Sequence, residues 1–264
     1  MLRHLLFIPT YNCESQITRV LQSLTADTCS WFEQILIIDN QSIDNTLGVC
    51  RDQLQHHPLK SKIALVRNLE NVGLGGTHKN AFDFAIAGQF DYVTILHGDD
   101  QGSISDFQKV FSELDGDSYY LGARFHPESV LINYSRIRTA GNVLFNLASS
   151  VITGRRILDL GGSGLNTFPV QCLTSLNYRS YSSDLTFHVY LILDAVRNGQ
   201  SVRFIPISWR EEDQISNAKV FRQGLKVMKI LMDFHNRLST AGHVSPLSTN
   251  YWELVAGNLP GKRA

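Results

Sequence analysis

Short runs of apolar and β-branched residues alternate with segments of helical spacing along residues 1–125, and this alternation restricts the fold more than any other feature of the chain. The runs at 2–9, 34–39, 62–66, 92–97 and 119–123 read as strands. Those at 14–24, 44–55, 76–87 and 105–114 read as helices. Strands separated by helices of this length need crossover connections, hence a mostly parallel sheet with helices against it. The strands are apolar throughout, which fits a sheet covered on both faces. Ligands of such sheets meet the crevice at the carboxyl ends of the strands. The expectation is an α/β fold whose residues 1–125 form a nucleotide-binding half.

The remaining sequence is less regular. A long helix is expected at 132–152, with Ile137, Gly141, Leu144, Ala148 and Val151 on one face and Gly154 as its stop. A glycine-rich turn at 159–164 leads to a short strand at 165–168. Ser183 and Asp184 open another helix, with Leu185, Val189, Leu193 and Val196 inward; a strand at 202–207 and a helix at 218–234 follow. No repeat or long linker interrupts the chain, so residues 1–264 read as one domain, with 126–236 as its second half and 237–264 as a tail.

Composition excludes several classes. Twenty-four basic residues balance 24 acidic ones, so no overall field points to nucleic acid as a partner. The four cysteines lack zinc or redox spacing and are expected to stay reduced, as in the cytosol. The apolar run 5–8 is too short for a signal-peptide core, and the uncharged stretch 140–152 falls short of the roughly 20 residues that span a bilayer.

The strongest chemical signal lies where the fourth strand ends, in His97-Gly98-Asp99-Asp100-Gln101. Alternation along an extended segment would aim His97, Asp99 and Gln101 the same way, as a half-shell for Mg²⁺ or Mn²⁺ completed by water and phosphates. A polar turn that caps the next helix accounts for the same residues. Pro9, Tyr11 and Asn12 close the first strand, and Asp39 closes the second, where its carboxylate can accept a hydrogen bond from a base. Asn71-Val72-Gly73-Leu74-Gly75-Gly76 precedes Lys79; glycines there let backbone N–H groups approach a phosphate at a helix start. A dinucleotide fingerprint is the competing reading, though these glycines follow the third strand and lack its full spacing.

Taken in order, these motifs resemble those of inverting family-2 glycosyltransferases of GT-A type, over roughly residues 4–235, and most nearly the polyprenyl-phosphate (dolichol-phosphate mannosyltransferase-like) branch. The resemblance implies a GT-A nucleotide-binding sheet with a less regular acceptor-side half. It pairs Pro9-Thr10-Tyr11-Asn12 with P-x-Y-N, and residues 39–46 with D-D-G-S-x-D-x-T, where Asn40 and Gln41 depart from Asp-Gly. It pairs His97, Asp99 and Gln101 with the metal-holding D-x-D and its glutamine, His97 standing where a carboxylate is usual. Arg124 matches the end of G-S-R, residues 159–166 match D-x-x-S-G-F-R with one extra residue, and 205–210 match V-P-I-x-x-R. It also implies that Arg136, Arg138, Ser216 and Lys219 face acceptor phosphate oxygens; solvated surface arginines are the competing reading of the first two.

The implied activity is transfer of a sugar from a nucleotide-diphosphate donor, with inversion, to a polyprenyl phosphate or a growing glycan. A divalent cation would be held by His97, Asp99 and Gln101, with Gly73, Gly76, Lys79, Asp99 and Asp100 at the donor, Lys79 and Arg124 assisting electrostatically, and Asp159 or Asp184 as base. A nucleotidyltransferase and a nucleotide-sugar-binding protein without turnover are the alternatives. The final helix sets Lys219, Arg222, Lys226 and Lys229 beside Phe221, Leu225, Met228 and Met232, a pattern of a core-packed helix or of peripheral contact at the inner face of a membrane.

Overall fold

The computed structural model describes residues 2–213, 220–236 and 252–259. In chain order its first half runs β1 (His4–Thr10), α1 (Glu14–Ser23), β2 (Gln34–Asp39), α2 (Thr46–His56), β3 (Ile63–Asn68), α3 (Gly73–Ala87), β4 (Tyr92–Leu96), α4 (Gln108–Phe111) and β5 (Ser118–Ala123). The second half contains β6 (Val130–Ile132), α5 (Arg136–Thr153), β7 (Leu165–Pro169), α6 (Val170–Thr174), α7 (Phe187–Arg197), β8 (Ser201–Pro206), β9 (Ser208–Arg210), α8 (Val220–His235) and β10 (Trp252–Gly257).

Eight strands form one sheet in the order β10-β3-β2-β1-β4-β7-β5-β8, and β6 pairs with β9 in a small second sheet. β3, β2, β1 and β4 are mutually parallel, while β7 runs antiparallel between β4 and β5. The chain leaves β1 for β2 on one side and reaches β4 on the other. That reversal of strand order opens a crevice at the carboxyl ends of these strands. Hydrogen bonds from Gly98 N to Pro9 O and from Asn40 N to Thr10 O join the strand-end loops at this point.

Both sheet faces are covered, as the apolar strands require. Leu5, Phe7, Leu36, Ile38, Val93 and Ile95 pack with Phe82 and Phe187 on one face; Leu6, Ile8, Ile35, Ile37 and Leu96 pack with Ile17, Leu21 and Phe107 on the other. Burial of so many aliphatic and aromatic side chains is the main favourable term in folding.

Several expectations fail: Leu185, expected inward, is exposed ahead of α7, and residue 132, expected to open the long helix, ends β6. The 237–264 segment is not only a tail, because β10 adds antiparallel to β3 at the sheet edge. The apolar face of the long helix does not meet the core. α5 is held by buried Asn146 and Ser149, while Ile137, Leu144 and Val151 are exposed. Asn146 donates to Leu158 O at 2.6 Å and accepts from Leu160 N at 2.9 Å, and Ser150 Oγ accepts from Ile157 N at 2.9 Å. These bonds fix which side of the helix faces inward. Gly154, at φ 64°, does end it.

Candidate active site

Three of the five non-glycine residues with positive φ among the described residues stand just beyond strand ends at the crevice: Asn12 (49°), Gln41 (61°) and Asp100 (58°). Such backbone is uncommon for residues other than glycine and gathers at functional sites. At Gln41, where the related motif has glycine, the cost is offset locally: its Nε2 donates to Asn68 O at 2.6 Å.

Asp39 is fully buried. Its Oδ2 accepts from Ser42 N at 3.2 Å and faces Arg67 Nε at 3.4 Å, while Oδ1 has no hydrogen-bond partner. Arg67, at the end of β3, was not among the expected site residues, and no motif marked it. Asn40 replaces the usual aspartate because its surroundings need an amide. Its Nδ2 donates to Asn71 Oδ1, while its Oδ1 accepts from Asn68 Nδ2 and Val72 N. Tyr11 is exposed, and Asn12 Oδ1 accepts from Ile43 N, so Asn12 holds the loop after β2. Pro9 is buried and acts through the carbonyl that meets Gly98.

The glycine–lysine motif serves the protein itself. Gly75 and Gly76 N donate to Ser183 O at 2.8 and 3.4 Å, and Lys79 Nζ donates to Tyr181 O and Ser183 Oγ. A Cβ at Gly75 would come within 2.7 Å of both Phe187 Cβ and Ser182 O. Gly73 (φ 73°) lies against the same Ser183 carbonyl. The donors assigned to a phosphate in Gly76 and Lys79 instead hold residues 181–183 against α3, Gly73 N donates to Asn71 Oδ1 at 3.0 Å, and burial lowers the Lys79 ammonium's pKa.

Asp99 lies half-buried where β4 delivers it, and its Oδ1 accepts from Gln101 N at 3.3 Å. Burial, with a smaller push from Asp100, raises its carboxyl to about 6. A divalent cation would relieve that penalty, so Asp99 fits a metal role. His97 does not fit beside it. Its ring lies against Gly164 and is 5.7 Å from the ring of His78, with Nε2 buried and unpartnered. Gln101 Nε2 points to Arg210 O at 3.5 Å. With the His97 ring and the Gln101 amide turned to these partners, the expected His97–Asp99–Gln101 half-shell is not assembled, and among the described residues no three His, Cys, Asp or Glu side chains are grouped to hold a metal ion. Asp100 turns from the donor position expected of it to Arg19 (2.6 Å) and Arg210 (3.7 Å), fastening α1 and β9 to the loop.

The acceptor-side residues are also engaged. Arg124 and Asp159, expected to act catalytically, form a buried two-pronged pair with both contacts at 2.8 Å, and Arg124 N donates to Asp159 Oδ2 at 3.0 Å. The guanidinium lies over Phe125 and Trp209. Burial opposes its charge, but Asp159 outweighs that and holds Arg124 above its ordinary value. Burial pushes Asp184 up too, but Lys226 and the Thr186 donors outweigh it and hold the carboxyl at about 2, so it is a poor base. Arg138 pairs with Glu211 at 2.7 Å and stacks on Tyr134; Arg136 is exposed. Ser216 and Lys219 lie outside the described residues.

Behind the Asp99 loop, His78 stands 5.7 Å from His97 and 5.4 Å from His188, ring to ring. Burial is the leading cause that lowers His78 to about 3, His97 to about 4 and His188 well below its usual range; His4, on β1, falls to about 3 for the same reason. The unfolded chain takes up protons at these positions as pH falls below about 6.5, and the folded chain does so only near or below 4. Their contribution to stability is therefore complete above that upper value and is lost as pH drops, by at most about 1.4 kcal/mol per pH unit for each histidine. Calorimetry should show Tm falling steeply between pH 6.5 and 5; a flat profile there would contradict buried neutral imidazoles.

A half-buried carboxylate after β4 at the switch point of the sheet, with a buried aspartate ending β2 on the far side of β1, fits the class of GT-A glycosyltransferases. The chain matches the model of Glycosyl transferase family 2 over residues 6–177, and it belongs to that family. No curated protein matches it. Among solved structures it resembles glucosyl-3-phosphoglycerate synthase from Mycobacterium tuberculosis with Mn²⁺, UDP-glucose and phosphoglyceric acid, at 12% identity and TM-score 0.63, covering 98% of this chain and 88% of that one. Mannosyl-3-phosphoglycerate synthase from Rubrobacter xylanophilus is similar at 14% identity and TM-score 0.61, with the same coverage. S. aureus TarS 1–349 with UDP-GlcNAc is similar at 16% identity and TM-score 0.58, covering 88% of this chain and 66% of that one.

Proposed function

We propose that this glycosyltransferase transfers a sugar, with inversion, from a uridine-diphosphate donor to an acceptor whose nucleophile is an ionised phosphate oxygen, such as a polyprenyl phosphate. The observation that carries the donor half is Asp99, a half-buried carboxylate at the end of β4 whose charge burial penalises. Asp99 would hold Mn²⁺ or Mg²⁺ on the diphosphate, most other ligand positions being left to phosphate and water, as hard cations prefer. Such a cation offsets the charge that grows on the leaving diphosphate. The unpartnered Oδ1 of Asp39 supports a role in accepting an N–H of the base, for which it would have to become accessible, and exposed Tyr11 at the end of β1 supports a base contact. Uridine is chosen because two of the structurally similar enzymes carry UDP-sugars.

The acceptor half rests on the state of the two expected bases. Asp159 is taken up by Arg124, and Asp184 is held near 2 beside Lys226. A phosphate oxygen is already ionised and needs no base, whereas a sugar hydroxyl does. The phosphoglyceric acid in one similar structure favours a second reading, an acidic hydroxyl acceptor. A thermal-shift screen of UDP-, GDP- and dTDP-sugars with and without Mn²⁺ tests the donor, and transfer assays with polyprenyl phosphate and with phosphoglycerate test the acceptor. Stabilisation by UDP-sugar with Mn²⁺ and product on the polyprenyl phosphate alone is expected. Stabilisation by another nucleotide, or product on phosphoglycerate alone, would overturn the corresponding half.

A further inference from the structure

From the inverted packing of α5 we infer that its outer face is a docking surface for an anionic lipid bilayer. This inference concerns the outer face of α5 and does not depend on the proposed donor or acceptor. The outward positions Ile137, Leu144, Leu147 and Val151 are 86, 67, 60 and 76% exposed. Ala140 and Gly141 are exposed between them, so the stripe contains no polar side chain. An amphipathic helix in a water-soluble protein normally turns such a stripe to the core. Here the helix is instead fastened through Asn146 and Ser150 to residues 157–160, which frees its apolar side. From Ile137 to Val151 the stripe extends about 21 Å at 1.5 Å per residue, a large apolar patch to leave in water.

Charge decides what covers it. Exposed Arg136 stands at one end of the stripe and exposed Arg155 and Arg156 at the other, and α5 itself has no acidic residue. A hollow of about 500 Å³ beside the helix is lined by Val143, Leu147 and Val151 together with Arg155 and Arg156. α8 packs against α5 where Gly224 faces Phe145, and it also exposes Leu225, Met228 and Met232 beside Lys229. An apolar face with cations at its ends is the pattern of a helix lying in the headgroup region of an anionic leaflet. A second copy of the chain would set these like charges against each other, which disfavours self-association through this face. Among the described residues no helix is long and apolar enough to cross a membrane, so the contact would be peripheral.

The test is flotation of the full chain, without donor, on vesicles of phosphatidylcholine alone and of phosphatidylcholine with 30–40% (roughly) phosphatidylglycerol, a content high enough to give a negative surface potential. Binding to the anionic vesicles is expected, with at least about tenfold less on the neutral ones. Leu144→Gln with Leu147→Gln should lower binding at least about tenfold, and Arg155→Gln with Arg156→Gln by about tenfold or more, each Arg near the surface contributing about fivefold. Both variants alter exposed side chains, and an unchanged Tm would show that folding is intact. Wild-type protein that stays in the soluble fraction with anionic vesicles would overturn the inference. So would sedimentation as a dimer that Leu144→Gln with Leu147→Gln converts to monomer.

Discussion

Asp159→Asn is expected to lower stability by about 3–5 kcal/mol, because it leaves the Arg124 guanidinium buried with its counter-charge removed. Two side-chain bonds of 2.8 Å and the bond from Arg124 N all end on this one carboxylate. The pair joins the end of β5 to the glycine-rich turn, and Trp209 of β9 stacks on it, so its loss should loosen the acceptor side as a unit. Denaturant unfolding checks the magnitude. A second variant, Arg124→Met with Asp159→Leu, removes both charges and should recover much of the loss, short of the bond made by the backbone N–H. If Asp159 were instead the catalytic base, Asp159→Asn would leave the unfolding midpoint in place and abolish turnover alone.

Asp99→Asn should do the reverse. Loss of the carboxylate is expected to reduce metal-dependent turnover by about a thousandfold or more, a loss comparable to removing a group that stabilises transition-state charge. The folded-state carboxyl lies near 6, above its value in an unfolded chain, so the ionised form costs the fold stability. That cost is absent at low pH, grows as pH rises through about 4 to 6 and is complete above. Asp99→Asn should therefore keep or raise Tm at neutral pH, and the gain should vanish near pH 4. Turnover measured beside Tm across that range separates a site residue from a structural one; a lowered Tm at neutral pH would oppose the assignment.

Much of this was legible in the sequence because apolar strands and amphipathic helices alternate with regular spacing, which fixes a parallel sheet and its crevice. The parallel β3-β2-β1-β4 segment and the positions of Asp39 and Asp99 at its carboxyl edge follow from that. β10 escaped because nothing local marks it; its partner is β3, distant along the chain. The α5 periodicity identifies an apolar stripe but not the side that faces the core, which hydrogen bonds of Asn146 and Ser150 decide. The glycines of α3 suggest a phosphate cradle because backbone N–H groups at a helix start donate to any oxygen, and here that oxygen is Ser183 O. The strand period sets His97 beside Asp99 only if it continues past Leu96, where the strand ends. Beyond it the backbone turns, with Asp100 at positive φ, and the imidazole packs against Gly164 and His78.

The central claim is that Asp99 brings a divalent cation to a nucleotide diphosphate at the crevice. Calorimetric titration of UDP into the wild-type chain and into Asp99→Asn, each with Mn²⁺ and with chelator, tests it most directly. Wild-type affinity should fall at least about tenfold when Mn²⁺ is removed, and Asp99→Asn should bind weakly in both conditions, as expected when a metal ligand is lost. Equal UDP affinity in all four titrations would contradict the claim.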